Sequence, residues 1–323
     1  MWKPIKPPYP KYISIEPTSR CNLRCAMCPR EVLEPRRRNH DLTWEDFRRI
    51  VDSFPTPTTI TVCGIAEPLM HERACDMLDY IDARGAKPVL ITNGTLIDES
   101  MARRIFRTKV AKITVSFHAL SPQLSPGSTK AAAFERMIGV LRLMVHARRE
   151  EGSGAYLMVN LVIMNNNADR IPDAAARVAA TGVDQVVGLR LLTVNGAVEN
   201  IKATREQVEQ LIRFKKSKIA RDMKFEFWDS GGGFCDELWT SCFVHANGDV
   251  FPCDGYLYDK PPMGNLLRQT LDEIWHNCPY RDLRLEKITG RMEACRYCAK
   301  GGAIASRVQM LGERLSNAIQ HLR

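Results

Sequence analysis

The stretch SRCNLRCAMCPR (residues 19–30) places three cysteines within eight residues and contains no continuous apolar run. They are Cys21, Cys25 and Cys28, in the spacing C-x3-C-x2-C. Three thiols in one loop bind a metal, belong to a disulfide framework or stand together by chance. The rest of the chain has to decide between these alternatives.

Composition restricts the class of protein. The chain has 323 residues, of which 45% are hydrophobic and 26% charged, as in an ordinary globular protein. No apolar run approaches the roughly 20 residues that span a bilayer, and the N-terminal MWKPIKPPYPKY lacks the apolar core of a signal peptide. We therefore expect a cytoplasmic protein with no membrane association. Eleven cysteines in such a protein indicate metal or redox chemistry rather than structural disulfides.

The net charge of +9 is spread along the whole chain. Nucleic-acid binding usually uses clustered lysine and arginine with interleaved aromatic residues, whereas aromatic residues are only 7% here. The densest basic run, Arg36–Arg38, follows Glu34 and is typical of a solvated loop. We expect no nucleic-acid partner. A basic surface would suit an acidic electron carrier of the flavodoxin or ferredoxin kind.

Short β-rich runs alternate with amphipathic helical patterns over residues 11–220. The predicted strands cover 11–17, 58–63, 87–92, 110–117, 155–164 and 184–192. The predicted helices cover 42–54, 71–84, 98–107, 131–150, 168–181 and 203–220. Buried strands that are linked by helices imply parallel β/α units with right-handed crossovers. The pattern predicts an α/β fold, a partial (β/α)6 barrel similar to a TIM barrel, with ligands at the C-terminal ends of the strands.

The pattern changes near residue 221. KFEFW (224–228) precedes a cysteine-rich stretch that includes CFVHANGDVFPC (242–253), in which Asn247-Gly248 is a strong hairpin signal. A two-residue turn would pair residue 246 with 249 and set Cys242 opposite Cys253. We predict a barrel over 1–222, a small cysteine-rich domain over 223–300 and a helix over 301–323 that packs on the barrel.

The three-cysteine loop directly follows the first predicted strand, at the mouth of the predicted barrel. A structural zinc site needs four protein ligands, and this loop offers three thiols with no histidine nearby. Three thiolates on a cubic iron–sulfur cluster leave one iron open to a ligand that is not protein. This loop resembles that of the radical S-adenosylmethionine (radical SAM) superfamily. Zinc or a chance arrangement is the alternative.

The resemblance implies a 4Fe–4S cluster held by Cys21, Cys25 and Cys28, with S-adenosylmethionine (SAM) on its open iron. In that family, reductive cleavage of SAM gives methionine and a 5′-deoxyadenosyl radical. The cofactor supplies this chemistry, while the protein positions it and keeps water away.

Two stretches of the barrel strengthen the resemblance. CGIAEPLM (63–70) is similar to the family's Gly-Gly-Glu-Pro motif, with Ala66 where the family usually has glycine. The resemblance implies that Glu67 accepts hydrogen bonds from the SAM ammonium; a merely structural Glu67 is the alternative. ITNGTLI (91–97) resembles the third strand and turn, which makes Asn93 a candidate for cofactor binding.

The fourth strand adds further candidates. VSFHALSP (115–122) resembles the family's fourth strand, where Ser116 would bond the ribose or the methionine part of SAM. His118 stands where many relatives carry aspartate, so it is either catalytic or simply a histidine near the mouth. Lys130 is a candidate for the SAM carboxylate. Met27 occupies a position that is often aromatic in the family, and its thioether could cover the adenine.

A second cysteine set resembles the auxiliary domains known as SPASM and twitch. The resemblance implies a second, auxiliary 4Fe–4S cluster. Its ligands would be Cys235, Cys253, Cys295 and Cys298. No cysteine follows Cys298, so the twitch version with one auxiliary cluster fits better than a full SPASM domain with two.

Other assignments of these thiols stay open. The predicted hairpin would bring Cys242 close enough to Cys253 to replace one ligand, and Cys278 is a third candidate. A zinc ribbon built from the same four thiols is the alternative to a cluster. We expect Cys63 and Cys75 to be small buried hydrophobic residues rather than ligands.

The resemblance implies hydrogen abstraction from an unactivated C–H bond. Relatives that mature peptides often carry an N-terminal leader-binding domain of about 80 residues, whereas twenty residues precede Cys21 here. We therefore expect a small polar substrate, such as a sugar, cyclitol or amino acid derivative. The predicted enzyme is an oxidoreductase that dehydrogenates it, with the auxiliary cluster as electron acceptor. Arg190, at the end of the sixth predicted strand, either assists substrate binding and deprotonation or is a salt-bridged rim residue.

Other functions are alternatives. In an epimerase, a thiol would return hydrogen to the opposite face of the substrate; in a peptide maturase, the radical would attack a neighbouring group. A non-catalytic iron–sulfur protein that binds SAM or senses redox state is an alternative of another class. The first-loop cysteines together with Glu67 argue against it.

Overall fold

One hydrogen-bonded sheet runs through the computed structural model of the chain. The structure describes residues 7–25, 27–28, 30, 39–117, 130–191, 199–228, 235–253, 256 and 260–292. The strands are β1 (Tyr12–Ile15), β2 (Thr59–Val62), β3 (Lys87–Thr92), β4 (Lys112–Ser116), β5 (Tyr156–Ile163), β6 (Gln185–Arg190), β7 (Phe225–Trp228), β8 (Ser241–Val244), β9 (Asp249–Phe251) and β10 (Gly264–Asn265). They lie in the order β10-β9-β8-β1-β2-β3-β4-β5-β6-β7.

Helices connect the parallel strands. They are α1 (Trp44–Asp52), α2 (Ala74–Ala83), α3 (Glu99–Arg107), α4 (Lys130–Glu150), α5 (Ile171–Ala179), α6 (Arg205–Lys215), α7 (Lys218–Asp222), α8 (Glu237–Thr240), α9 (Leu271–Trp275) and α10 (Cys278–Ile288). The helix predicted over 203–220 is divided because the Ser217 side chain accepts the Ala220 N–H at 3.1 Å and caps a new helix. Among the described residues, every helix is too short or too polar to cross a bilayer.

The run of parallel pairs from β1 to β7 follows the chain order. Parallel neighbours need a crossover connection, and each crossover between β1 and β7 contains a helix. The hydrophobic core lies between sheet and helices; Phe47 and Ile81, for example, are fully buried. The predicted α/β fold is confirmed, and Cys63 and Cys75 are buried as expected.

The parallel run has one more strand than we predicted. KFEFW was assigned to the second domain, whereas β7 pairs in parallel with β6 and continues the barrel sheet. Phe225 and Phe227 are buried on the helix side, and the Phe225 ring lies 5.2 Å from that of Phe214 in α6. The predicted boundary at 222/223 thus falls directly before a barrel strand. The predicted helix over 301–323 lies outside the described residues.

The hairpin of β8 and β9 joins the same sheet, because β8 pairs in parallel with β1. The predicted two-residue turn is wrong by one residue: Val244 pairs with Val250, and the His245 N–H donates to Asp249 O at 2.8 Å. The loop has three residues and ends on Gly248, whose φ of +85° is typical of that turn. This register sets residue 252, rather than Cys253, opposite Cys242.

Candidate metal and cofactor site

The three-cysteine loop lies at the C-terminal end of β1, where its thiols are partly exposed. The Cys28 N–H donates to Cys25 O at 2.9 Å, which closes a turn, and the Leu23 N–H lies 3.4 Å from Cys21 Sγ. Cys28 Sγ lies 4.0 Å from Ile65 O, so the loop after β2 borders this turn. The sequence prediction placed the loop correctly.

The chemistry of these thiols tests whether a cluster fits. Burial raises the pKa of Cys25 to about 12, and the thiols of Cys28 and Cys21 raise it further. Burial also raises the pKa of Cys21, against the lowering effect of the Leu23 N–H. Thiols bind metal as thiolates, so Cys21 and Cys25, whose ionisation is opposed by burial, need a cationic partner to act as ligands. The loop offers three thiols, whereas a structural zinc site takes four protein ligands. This donor set fits a cubic cluster that keeps one iron open to a ligand that is not protein.

Glu67 lies under this loop and is only 1% exposed. Its carboxylate accepts the Thr92 hydroxyl at 2.7 Å, the Asn93 N–H at 2.7 Å and the Leu69 N–H at 3.1 Å. Burial raises the pKa of Glu67, and these three hydrogen bonds lower it. The Glu67 N–H in turn donates to Arg20 O at 3.0 Å. Glu67 thus fixes the loop after β2 against β3 and the cysteine loop, while its contact with SAM stays a prediction.

The turn after β3 is tied to the cysteine loop by side chains. Asn93 Nδ2 donates to Asn22 Oδ1 at 3.0 Å, and Asn22 Nδ2 donates to Thr95 Oγ1 at 2.8 Å. Gly94 has a φ of +75°, which this turn requires. Asn93 therefore borders the cysteine loop, while its part in cofactor binding stays a prediction. The sequence analysis missed Asn22 and Thr95, although the position of Asn22 inside the cysteine motif was a signal.

The barrel interior carries neutral polar side chains near the strand ends. Ser116 is the last residue of β4, and its neighbour across the ladder on β5 is Asn160. Adjacent residues of parallel strands face the same side of a sheet. Asn160 Oδ1 is buried and has no hydrogen-bond partner among the described residues. Asn160 was missed because its strand was interpreted as a simple apolar run, in which an asparagine was the signal.

Two further predicted residues lie at the ends of β5 and β6. Met27, in the cysteine loop, packs against the buried side chains of Met164 and Leu191. The loop after β1 thus reaches across the barrel mouth to the ends of β5 and β6. Arg190 pairs with Ile163, which is fully buried against the helices, so strand alternation sets Arg190 on the helix side. The structure does not bring Arg190 to the Ser116–Asn160 face.

The remaining candidates are only partly described. His118 lies outside the described residues, and Lys130 begins α4 but its side chain is not described. Among the auxiliary candidates, Cys235 precedes α8 and Cys253 follows β9, both partly buried. Cys295 and Cys298 lie outside the described residues.

The two alternative ligands differ in exposure. Cys242 is 3% exposed within β8, and burial raises its pKa above that of an ordinary thiol. Cys278 is exposed at the start of α10. The assignment of the auxiliary ligands stays a prediction.

Comparison with known proteins identifies the family. The family model described as the radical SAM superfamily matches residues 15–187. The chain belongs to the radical SAM superfamily. A second model, SPASM, described as an iron–sulfur cluster-binding domain, matches residues 235–299. This radical SAM enzyme thus uses SAM, a SAM-binding 4Fe–4S cluster and auxiliary iron–sulfur chemistry in its SPASM domain.

Individual proteins are similar over nearly the whole chain. The tungsten-containing aldehyde ferredoxin oxidoreductase cofactor-modifying protein of Pyrococcus furiosus is 29% identical over 317 residues, covering 90% of this chain and 87% of that protein. The crystal structure of Streptococcus suis SuiB bound to precursor peptide SuiA has a TM-score of 0.67 at 17% identity, covering 93% and 73%. BtrN in complex with AdoMet and 2-DOIA has a TM-score of 0.53 at 16% identity, covering 91% and 92%. The two structures show that the fold is shared.

Proposed function

We propose that this radical SAM enzyme dehydrogenates a small polar organic molecule of the cofactor or cofactor-precursor class. The main support is that Ser116 and Asn160 offer neutral hydrogen-bonding groups on the interior face of the barrel, beside the cysteine loop. Trp228 ends β7 opposite Leu189, on the same side of the sheet as Asn160, and is half exposed. Such a face suits a small polar ligand.

The clusters and SAM, when bound, supply a 5′-deoxyadenosyl radical and an electron acceptor. The residues of this chain hold and orient them. Cys21, Cys25 and Cys28 would hold the first cluster, and Cys235, Cys253, Cys295 and Cys298 would hold the auxiliary cluster. Glu67 fixes the loop after β2 through its three hydrogen bonds.

Side chains of the barrel mouth would orient the ligands. Ser116 and Asn93 would hydrogen-bond SAM, and Met27, which lies over the ends of β5 and β6, would cover its adenine. Lys130 would bind the SAM carboxylate, and His118 would act near the substrate. Arg190 lies on the helix side of β6, so a role in substrate binding would require its side chain to reach around the strand end.

One relative supports a small substrate. The Pyrococcus furiosus protein, which is matched over most of both chains, is named for the modification of a cofactor. Peptide maturation is the second candidate, because the SuiB structure contains a precursor peptide. In either case, we expect a flavodoxin- or ferredoxin-like protein to deliver electrons in the cytoplasm, since the net charge of +9 suits an acidic carrier.

The test is anaerobic turnover of the reconstituted full chain with SAM and dithionite. Deuterated cofactor precursors, sugars, cyclitols and amino acid derivatives serve as probes beside deuterated peptides, and Cys25→Ala serves as the control. We expect deuterium in 5′-deoxyadenosine and, with ordinary substrate, a product whose mass falls by about two, because dehydrogenation removes two hydrogens.

Each other outcome replaces the proposal with a named alternative. Unchanged product mass with hydrogen gained from solvent would establish epimerisation. Turnover of peptides alone would establish peptide maturation. No 5′-deoxyadenosine above the Cys25→Ala level, with iron fully loaded, would leave the non-catalytic sensor.

A further inference from the structure

One tyrosine hydroxyl is buried beside the auxiliary cysteines without a partner. Tyr280, in α10, is 0% exposed, and its hydroxyl has no hydrogen-bond partner among the described residues. A buried tyrosine hydroxyl normally finds one, because an unmade hydrogen bond in the interior is costly. Phenylalanine would fill the same space without that cost. We therefore expect the hydroxyl to donate to an acceptor other than the described residues.

The surroundings of this hydroxyl indicate which acceptor. The bond from Arg284 to Leu238 O holds α10 beside the start of β8, and the hairpin register sets residue 252, the neighbour of Cys253, opposite Cys242 at that same end. Tyr280 and Cys242 belong to one packed core, and Cys253 packs against it. Cys253 belongs to the SPASM match and is one of the proposed cluster ligands.

A buried cation lies against the same ring. The guanidinium of Arg284, one turn further along α10, is 0% exposed and lies 4.6 Å from the centre of the Tyr280 ring. Its Nε donates to Leu238 O at 3.0 Å, and its Nη1 donates to Trp275 O at 2.8 Å. Burial lowers the pKa of Arg284 to about 10, which leaves it charged at neutral pH. Leu238 lies three residues after Cys235, so this charge is held against the segment of another proposed ligand.

We propose that Tyr280 donates its hydroxyl hydrogen bond to a sulfur of the auxiliary cluster, and that Arg284 offsets the negative charge of the cluster. Hydrogen bonds to cluster sulfurs and nearby positive charge both favour the reduced state, so these residues raise the reduction potential of the auxiliary cluster. They tune the cluster and do not touch the substrate. The inference rests on the proposed function in one respect, namely that Cys253 is a ligand.

The test compares Tyr280→Phe with Tyr80→Phe in the reconstituted full chain. Tyr80 is a matched control, because its hydroxyl bonds Asp52 at 2.9 Å in α1, away from the SPASM domain. Redox titration is followed by paramagnetic resonance of the reduced auxiliary cluster. We expect Tyr280→Phe to lower the ratio of reduced to oxidised cluster tenfold at the wild-type midpoint, a shift of about 59 mV. Tyr80→Phe should titrate like the wild type.

Two outcomes overturn the inference, and they are distinguishable. An unchanged midpoint in Tyr280→Phe, with about eight irons per chain, overturns the tuning role and leaves the proposed function intact. About four irons in the wild type would remove the auxiliary cluster, and with it both proposals.

A second measurement covers a variant that does not retain its auxiliary cluster. Electron–nuclear double resonance of the wild type in H2O and D2O should then show an exchangeable proton strongly coupled to the reduced auxiliary cluster. Its absence would overturn the inference.

Discussion

Glu16 Oε2 and His245 Nε2 lie 3.0 Å apart, and each side chain is 1% exposed. Glu16 follows β1 and His245 follows β8, which are neighbours in the sheet. The other carboxylate oxygen, Oε1, accepts the Ile65 N–H at 2.8 Å. Because Ile65 O borders Cys28, one carboxylate connects the three-cysteine loop with the hairpin that leads to Cys253.

Glu16→Gln should destabilise the apo chain and loosen both loops. The variant loses the charge that faces His245 in a fully buried place, so we expect the free energy of unfolding to fall by about 1–3 kcal/mol. Urea denaturation measures it. Glu99→Gln is the control, because Glu99 makes an exposed pair with Arg103 and should cost less than about 0.5 kcal/mol. An equal loss of unfolding free energy in the two variants would contradict a structural role for Glu16.

Gly64→Ala should disturb the contacts of Glu16 with Ile65 and His245, here called the Glu16 junction. A Cβ at Gly64 would lie 2.4 Å from Glu16 Cγ and Oε1, so Glu16 must move away from Ile65 and His245. We expect formation of 5′-deoxyadenosine to fall at least about tenfold, a barrier change of about 1.4 kcal/mol. Gly139→Ala is the matched control, because its Cβ meets nothing within 4 Å in α4. That substitution should leave activity unchanged and stabilise the helix by up to about 1 kcal/mol. Comparable activity in the two alanine variants would show that the junction tolerates displacement.

The sequence predicts most of the barrel because its signals are local. Amphipathic periodicity in α1 and buried runs such as β3 need no distant partner to be recognised. The hairpin register was wrong because it depends on a distant contact: a Cβ at Gly248 would lie 2.5 Å from Leu267 Cγ. β7 was misassigned because a run of five residues does not show which sheet it joins.

In the candidate site, too, residues with local signals were predicted and residues that depend on distant contacts were missed. Cys21, Cys25 and Cys28 are predictable since their spacing lies within one loop. Glu16 was missed because its partners lie 49 and 229 residues further along the chain, at Ile65 and His245. No local sequence pattern indicates these contacts, because Glu16, Ile65 and His245 come together only in the folded chain.

The thiol of Cys25 should react slowly in the folded apo chain. Only the thiolate reacts with iodoacetamide, and a pKa of about 12 leaves few thiolates at pH 8. In urea, where the pKa returns to about 8.5, alkylation should be on the order of a thousand times faster. The folded rate should rise as pH rises towards 12, because deprotonation increases with pH. Peptide mass spectrometry measures both rates. A folded rate that is independent of pH, or equal to that in urea, would contradict the buried environment.

Asn160→Ala should impair ligand binding without destabilising the fold. Its Oδ1 makes no hydrogen bond within the described residues, so removal of that oxygen takes away no protein hydrogen bond while a ligand would lose an acceptor. We expect the dissociation constant for SAM or the KM for substrate to rise about tenfold, with the urea midpoint unchanged. Asn167→Ala is the contrasting variant, because Asn167 bonds the Met164 N–H at 2.8 Å and Val162 O at 2.9 Å. That variant should lose about 1–3 kcal/mol of stability. If Asn160→Ala instead loses stability and binds both ligands normally, Asn160 is a structural residue of β5.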